Sequence, residues 1–155
     1  MKILMVCLGN ICRSPLAEEI LRDKALAKGL NWEIDSAGTN GLHDGEPPHP
    51  LSQKVAAFYS LDISDQRSRK FKASDMQEFD IIYAMATDVI DGIRRISGEM
   101  YQPEKVQLLM NETFPDKDLD VPDPWFGGEE GYHVAYKMME EACNAIIKKH
   151  IQNNS

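Results

Sequence analysis

The sequence predicts an α/β fold: a four-stranded parallel sheet with helices on both faces. Short apolar segments alternate with longer amphipathic ones in the order β-α-β-α-β-α-β-α. Strands that alternate with helices in this way pair in parallel, and the connecting helices cover both faces of the sheet. With 155 residues, 43% of them hydrophobic, the chain can bury a core without disulfides or metals, so we expect a single domain over residues 1–155.

The first half of the chain predicts two strand–helix pairs. Residues 2–6 are apolar and end at a loop, which is typical of a buried strand. Pro15 suits the first turn of the next helix, whose apolar positions continue to a stop at Gly29. A second strand at residues 32–36, a turn-rich segment at 37–50 and a helix at 51–61 follow.

The second half of the chain predicts two further pairs. A polar stretch at residues 64–76 precedes a strand at 80–85, a helix at 88–96 and a fourth strand at 106–110. The segment 111–131 is irregular, and a long irregular connection in a compact domain is often functional. The last helix is predicted at residues 132–151, with Cys143 as one of its core residues.

The composition argues against several functional classes. A net charge of −8 disfavours general binding to nucleic acid or to an anionic membrane. Because no signal-peptide core and no apolar run of about 18 residues is present, we expect a cytoplasmic protein. Three cysteines form an odd, sparse set, which indicates reduced thiols. We expect a monomer, with weak dimerisation as the alternative.

The segment between the first strand and the first helix, CLGNICRS at residues 7–14, has the composition of an anion-binding loop. Backbone N–H groups can turn inward beside a helix N-terminus, and Arg13 adds a planar fork for two phosphate oxygens. These positive groups favour the thiolate of Cys7, a nucleophile aimed at the bound oxyanion. Ser14 can hydrogen-bond the sulfur, and Asn10 suits either a left-handed backbone conformation or a side-chain hydrogen bond within its own loop.

Other phosphate and metal sites do not fit this loop. Gly9 leaves room for a close ligand, but the pattern lacks the Gly-Lys-Ser/Thr end of a nucleotide-binding loop. Cys7 and Cys12 have no second close pair of Cys or His, so a zinc site is not supported. His43 and His49 match no metal-ligand spacing and are predicted to be solvent-exposed. We therefore expect no cofactor and no metal.

The run VCLGNICRS at residues 6–14 resembles the phosphate-binding loop of low-molecular-weight protein tyrosine phosphatases nearly residue for residue. The resemblance continues in DSAGT at residues 35–39, in His43-x-Gly45-x-Pro47 and in DPWF at residues 123–126. It implies that family's flavodoxin-like α/β/α fold and the hydrolysis of phosphotyrosine through a phosphocysteine on Cys7. The implied phosphate-binding residues are Leu8, Gly9, Asn10, Ile11, Cys12, Arg13 and Ser14, and the implied supporting residues are Asn10, Ser14 and Ser36.

The resemblance also identifies a proton donor and a substrate pocket. Asp123, whose backbone is restricted by the proline that follows it, would protonate the leaving oxygen and then activate the hydrolytic water. The neighbouring Asp116, Asp118 and Asp120 are predicted to be solvated. An apolar Ile11, where relatives that dephosphorylate arginine have threonine, favours phosphotyrosine proteins or small aryl phosphates as substrates. The expected pocket walls are Ile11, Leu42, Trp125 and Phe126.

Cys12 suggests redox control of the same loop. If peroxide oxidises Cys7 to a sulfenic acid, Cys12 can trap it as a disulfide and prevent overoxidation. The alternative is that Cys12 only fills space behind the loop.

Four positions depart from the family pattern, and one of them is Leu42, at a wall position that is often aromatic. Gln66 and Ala86 stand where relatives have a histidine and an aspartate that support the loop asparagine, and His49 replaces a loop aspartate. We therefore expect the support of Asn10 to be rewired, with Ser36 still available. Activity should be retained, with altered loop rigidity or substrate preference.

Two other functions remain open from the sequence. Arsenate reductases share the fold and the loop, but their thiol relay needs a Cys pair near the third strand, where residues 80–90 contain none. A catalytically silent phosphotyrosine-binding module would account for Gln66 and Ala86. The joint presence of Cys7, Arg13 and Asp123 favours an enzyme.

Overall fold

Four parallel strands form one sheet in the computed structural model, which describes residues 1–153. The order across the sheet is β2-β1-β3-β4, with every pair parallel. The chain runs from β1 to the edge strand β2 and then returns to β3 on the other side of β1. The carboxyl ends of β1 and β3 therefore flank a topological switch point, where α/β sheets bind ligands. The strands are β1 (Lys2–Cys7), β2 (Glu33–Gly38), β3 (Ile81–Ala84) and β4 (Val106–Leu108).

Five α-helices cover the two faces of this sheet within the described residues. One face is packed by α1, α2 and α5, and the other by α3 and α4. The predicted α/β class, with helices on both faces, is confirmed. The helices are α1 (Arg13–Ala27), α2 (Pro50–Phe58), α3 (Asp75–Glu78), α4 (Thr87–Ser97) and α5 (Glu129–Asn153).

The central strand β1 explains its own apolar sequence. Ile3 and Met5 point into the core beneath α1 and α5, whereas Leu4 and Val6 point into the core beneath α4. All four side chains are completely buried. A strand covered on both faces needs a continuous apolar run rather than an alternating one, which is what residues 3–6 supply.

The element boundaries differ from the predicted ones where local turns replace regular structure. The fourth strand ends at Leu108, because the buried Leu109 and Met110 enter a 3-10 turn at Leu109–Glu112. A second 3-10 turn, Pro124–Phe126, interrupts the predicted irregular segment. The last helix begins at Glu129 rather than at residue 132, since two acidic residues favour a helix N-terminus even though Gly131 follows them. In the described part of the chain, no helix combines the length and apolarity needed to cross a bilayer.

Candidate active site

The loop between β1 and α1 lies at the carboxyl edge of the sheet, at the switch point. Cys7 ends β1, and Arg13 and Ser14 open α1. All three residues are buried, with 2%, 4% and 0% of their surface exposed. The fold therefore brings a thiol, a guanidinium and a hydroxyl together at one sheet edge.

Two hydrogen-bonding groups surround the sulfur of Cys7. The Ser14 Oγ lies 3.0 Å from the Cys7 Sγ, and the backbone N–H of Asn10 donates to the same sulfur at 3.2 Å. Asn10 has a φ of 58°, the left-handed conformation predicted for it, which folds the loop back towards Cys7. These two contacts fix the position of the sulfur at the start of the loop.

The Asn10 amide sets the direction of these hydrogen bonds. Its Nδ2 donates to the Ser14 Oγ at 2.8 Å and to the Ser36 Oγ at 3.0 Å, which uses both of its protons. Each serine oxygen thus already accepts one hydrogen bond, and its own hydroxyl hydrogen can be donated to another partner. Ser36 donates to the Glu18 carboxylate at 2.6 Å, and Ser14 is left to donate to Cys7.

Glu18 is a supporting residue that the sequence analysis missed. It lies on α1, is 5% exposed, and pairs with Arg22 at 2.6 Å. Burial raises the pKa of the Glu18 carboxyl, while hydrogen bonds from Ser36 and Arg22 oppose that shift. The one sequence signal was a Glu–Arg pair four residues apart, a spacing that is equally common on solvated helix faces.

The backbone carbonyls of the loop are held from outside it. In residues 1–153 every peptide bond is trans, so the N–H that follows each bound carbonyl points the opposite way. The amides of residues 8, 9, 10, 12 and 13 are therefore directed away from these external donors, which is the arrangement that an anion-binding nest requires. The donor–carbonyl pairs are Thr39 N–Cys7 O, Asn40 N–Leu8 O, Ser68 Oγ–Gly9 O, His49 N–Ile11 O and Ser52 Oγ–Cys12 O, at 2.9–3.1 Å.

Gly38, at the end of β2, lets the loop approach the sheet. A Cβ atom at this position would lie 2.9 Å from backbone atoms of Leu8, Gly9 and Asn10. Since all three contacts are to backbone, no side-chain movement could relieve them. Gly38 is thus required by the packing of the loop against β2.

Arg13 connects the loop to the long segment after β4. Its Nη1 donates to the Val121 carbonyl at 3.0 Å, and its Nη2 lies 3.7 Å from the Asp123 Oδ2. The Asp123 side chain is 38% exposed, and its Oδ1 accepts a hydrogen bond from the Trp125 N–H at 3.1 Å. The structure therefore brings Cys7, Arg13 and Asp123 to one site, although Asp123 is more than 100 residues from the others.

A cavity of about 280 Å³ opens above the sulfur. The four predicted wall residues line it: Ile11 is nearly buried, while Leu42 and Phe126 are 77% and 91% exposed at the rim. Two further lining residues, Asn40 and His43, were not predicted, because they belong to the turn-rich loop after β2. The complete lining is Cys7, Leu8, Gly9, Ile11, Cys12, Arg13, Asn40, Leu42, His43, Asp123, Trp125 and Phe126.

The predicted solvent exposure of the two loop histidines is wrong. Both rings are half-buried, and both contact Trp125, with centroid distances of 5.6 Å for His43 and 5.4 Å for His49. His49 also caps α2, since its Nδ1 accepts the N–H of Leu51. Long-range contact with an aromatic residue from the acidic loop explains their burial.

Among the described residues, Gln66 is not a hydrogen-bond partner of Asn10. The Asn10 Oδ1 accepts the N–H of Arg69 at 3.1 Å, whereas the Gln66 Nε2 donates to the Pro15 carbonyl. At the position after Ala86, the Thr87 N–H at the start of α4 donates to the Asp120 carboxylate at 2.8 Å.

All three aspartates predicted to be solvated are exposed, and two of them also have hydrogen-bond partners. Asp120 holds the start of α4, and Asp118 exchanges two hydrogen bonds with Asn111, each at 3.0 Å. The first contact ties the irregular segment to α4, and the second is internal to the segment. The sequence does not reveal them, because each partner lies at least seven residues away.

The three cysteines are free and buried. The Cys12 Sγ lies 3.6 Å from the Tyr132 hydroxyl, and burial raises the pKa of the Cys12 thiol to about 11. Cys143 is completely buried on α5, as predicted, and burial raises its pKa to about 12. No group of three or more His, Cys, Asp or Glu side chains suited to a metal ion occurs in residues 1–153.

Comparison with known proteins agrees with this site. The sequence model of the family described as low molecular weight phosphotyrosine protein phosphatase matches residues 2–155. The chain is 38% identical to the low molecular weight protein-tyrosine-phosphatase YfkJ of Bacillus subtilis, over 94% of this chain and 92% of that protein. It is 30% identical to the human low molecular weight phosphotyrosine protein phosphatase, over 95% and 94% of the two chains.

Solved structures match as closely. A protein tyrosine phosphatase from Entamoeba histolytica superimposes with a TM-score of 0.90 at 34% identity, over 100% of this chain and 99% of that one. A Drosophila arginine phosphatase superimposes with a TM-score of 0.88 at 30% identity, over 97% and 98%. The chain therefore belongs to the low molecular weight phosphotyrosine protein phosphatase family.

Proposed function

We propose that the protein hydrolyses phosphotyrosine monoesters, with Cys7 as nucleophile, Arg13 and the loop amides as the phosphate site, and Asp123 as general acid and base. One observation carries the proposal. The Cys7 sulfur, hydrogen-bonded by Ser14 and by the Asn10 N–H, lines a cavity that Arg13 and Asp123 also line.

The reaction proceeds in two displacements at phosphorus. The Cys7 thiolate attacks the phosphorus, the ester P–O bond breaks, and the leaving phenolate takes a proton from Asp123. Water then attacks the phosphocysteine while the Asp123 carboxylate accepts its proton, which releases inorganic phosphate and restores the thiolate. Arg13 and the amides neutralise the charge on the equatorial oxygens throughout, because they are fixed before the substrate arrives.

The cavity walls support an aryl phosphate as substrate. The apolar Ile11 at its base and the rim residues Leu42 and Phe126 offer flat hydrophobic contact to a phenyl ring. A guanidinium group would bring polar N–H groups against the same surfaces without partners. The substrate class is thus a phosphotyrosine protein or a small aryl phosphate, rather than a phosphoarginine protein.

Kinetic measurement on the purified protein tests this assignment. We expect turnover of 4-nitrophenyl phosphate that is abolished by Cys7→Ser, lowered by Asp123→Ala, and unchanged by Asp44→Ala, which removes an exposed carboxylate outside the cavity lining. Phosphotyrosine peptides should be hydrolysed in preference to phosphoserine and phosphoarginine peptides. Full activity of the Cys7→Ser variant, or a preference for phosphoarginine, would contradict the proposal.

We further propose that Cys12 protects Cys7 from overoxidation. A sulfenic acid on Cys7 would react with the Cys12 thiol to form the Cys7–Cys12 disulfide and one water molecule. The raised pKa of Cys12 supports these separate roles, since Cys12 stays a thiol while Cys7 reacts with the oxidant. Recovery of activity by thiol reductant after peroxide should be poorer in Cys12→Ser; equal recovery would refute the role.

The whole of residues 1–155 is proposed to act as one cytoplasmic phosphatase domain, with phosphoproteins as its partners. The strand β1 contributes to both hydrophobic cores, and the family match extends over residues 2–155, both of which support one folding unit. A single cooperative unfolding transition and a monomeric sedimentation coefficient are expected.

A further inference from the structure

Trp125 is held between two histidine rings. The ring centroid of His43 lies 5.6 Å from that of Trp125 at an interplanar angle of 48°, and His49 lies at 5.4 Å and 75°. Both distances are within the range of roughly 4.5–7 Å at which aromatic rings attract each other. The next residue, Phe126, is 91% exposed, against 42% for Trp125. Of the two aromatic residues that follow Asp123, Trp125 is therefore the anchored one.

Each histidine is fixed to the phosphate-binding loop. The backbone N–H of His49 donates to the Ile11 carbonyl at 2.9 Å, and its ring stacks on Tyr132 at 5.3 Å. The His43 ring packs over Gly9, where an added Cβ would lie 3.2 Å from the His43 Cδ2. Both histidine rings therefore contact Trp125 from the side of the phosphate-binding loop.

His43 has an additional anchor that sets its ring orientation. Its Nδ1 lies 2.8 Å from the Glu46 carboxylate, on the same loop after β2. A ring nitrogen paired with a carboxylate acts as the donor, so the ring is held edge-on to Glu46 with its carbon edge against Gly9. The histidine is therefore fixed in orientation before Trp125 packs against it.

Trp125 is linked in turn to the proposed general acid. Its backbone N–H donates to the Asp123 Oδ1 at 3.1 Å, and only Pro124 separates the two residues. The other carboxylate oxygen lies 3.7 Å from Arg13, so the Asp123 side chain has one fixed oxygen and one that faces the phosphate site. Moving the Trp125 backbone would move this carboxylate.

We propose that His43 and His49 are positioning residues for proton transfer. By packing against Trp125, the two rings hold the Asp123 carboxyl over the cavity. This inference rests on the proposed role of Asp123 as general acid. The histidines touch neither the phosphorus nor the leaving oxygen in this scheme. Their effect is to keep the carboxyl within hydrogen-bonding reach of the leaving oxygen, where small displacements are costly.

Leaving-group dependence distinguishes this role from general destabilisation. The phenolate of phenyl phosphate needs a proton as it leaves, because its conjugate acid is about as weak as tyrosine, with a pKa of about 10. The phenolate of 2,4-dinitrophenyl phosphate leaves without a proton. A misplaced acid thus slows the first substrate and spares the second, whereas a damaged phosphate site slows both.

The test measures kcat/KM for both substrates in ring-deleting variants. His43→Asn keeps a donor for Glu46, and His49→Asn keeps an acceptor at the α2 N-cap. Each should lose roughly tenfold on phenyl phosphate and less than about twofold on the dinitrophenyl ester, a fraction of the 10²–10⁴-fold that a general acid contributes. His43→Phe, which restores a ring, should recover most of the loss.

A matched control removes a histidine that contacts another tryptophan. The ring of His150 lies 4.9 Å from that of Trp32 in an edge-on arrangement remote from the cavity lining. His150→Asn should leave both kcat/KM values within about twofold of the parent, since it changes no group near the reacting atoms.

A double-variant comparison keeps the inference testable if one histidine variant fails to fold. Trp125→Ala should show the same leaving-group pattern, and adding His43→Asn to it should cause no further loss, because both changes act through one link. Equal losses on the two substrates, no loss on either, or additive losses in the double variant would overturn the inference. If Asp123→Ala itself shows no leaving-group dependence, the general-acid assignment fails instead.

Discussion

The two halves of the catalytic cavity are built in opposite ways. The phosphate loop, residues 7–14, is buried except at Leu8 and Gly9, and five of its carbonyls are held by donors from other segments. The acid loop, residues 113–128, crosses the surface, and its reacting group Asp123 is 38% exposed. The proposed anion site is therefore held in place before substrate binds, whereas the proposed proton donor depends on a few long-range side-chain contacts.

Arg13 is the residue that joins the two halves, and its removal should have the largest effect. Arg13→Ala deletes the guanidinium from the phosphate site and leaves the Val121 carbonyl without its donor. We expect kcat/KM to fall by about 10²–10³-fold, the usual loss when a transition-state donor is removed. Arg95→Ala, which removes an exposed guanidinium from the last turn of α4, serves as the control. A loss below tenfold would show that the amides alone hold the phosphate.

Gly38→Ala tests the rigidity of the phosphate loop from behind. The added Cβ would meet three backbone atoms at 2.9 Å, so the loop or β2 must shift. We expect the free energy of unfolding to fall by about 2–3 kcal/mol, as in other overpacked sites, with a loss of activity in the folded protein. Chemical denaturation provides the measurement. Gly128→Ala, which meets no atom within 4 Å, should change stability by less than about 0.5 kcal/mol.

Asp120→Ala probes the attachment of the acid loop and should have the smallest effect. It removes the acceptor of the Thr87 N–H at the start of α4. The loss should resemble that of a helix cap, about 1 kcal/mol in the free energy of unfolding, with a modest decrease in kcat/KM. Asp91→Ala, an exposed change within the same helix, should leave both quantities near the parent values. A larger effect of Asp91→Ala would contradict the assignment.

The structure of the phosphate loop could be predicted from the sequence more fully than that of the residues around it. Residues 7–14 are contiguous, so strand, thiol, turn and helix start can be recognised together, and the left-handed Asn10 follows from residue type. Glu18 escaped prediction, because its role depends on Ser36 reaching α1 from another strand. The same limit explains the histidines: His43 and His49 occur in a polar loop, and their burial depends on Trp125, more than 75 residues later.

The predicted end of the fourth strand was wrong for a reason that lies outside the local sequence. Leu109 and Met110 are apolar enough for a strand, but the chain must turn there to carry the acid loop back to Arg13. The tertiary contacts of this segment therefore determine where the strand ends, against the strand-like pattern of the local sequence.

The donors that hold the phosphate loop come from segments 39–40, 49–52 and 68, which are brought together only by the complete fold. A partly unfolded chain therefore lacks the proposed anion site, and we expect phosphate to bind the native state alone. Mass action then makes the reaction product a stabiliser of its own enzyme. Inorganic phosphate at 100 times its Kd would add about 2.7 kcal/mol to the free energy of unfolding. Resistance of the protein to heat and to proteolysis should accordingly rise and fall with the phosphate concentration around it.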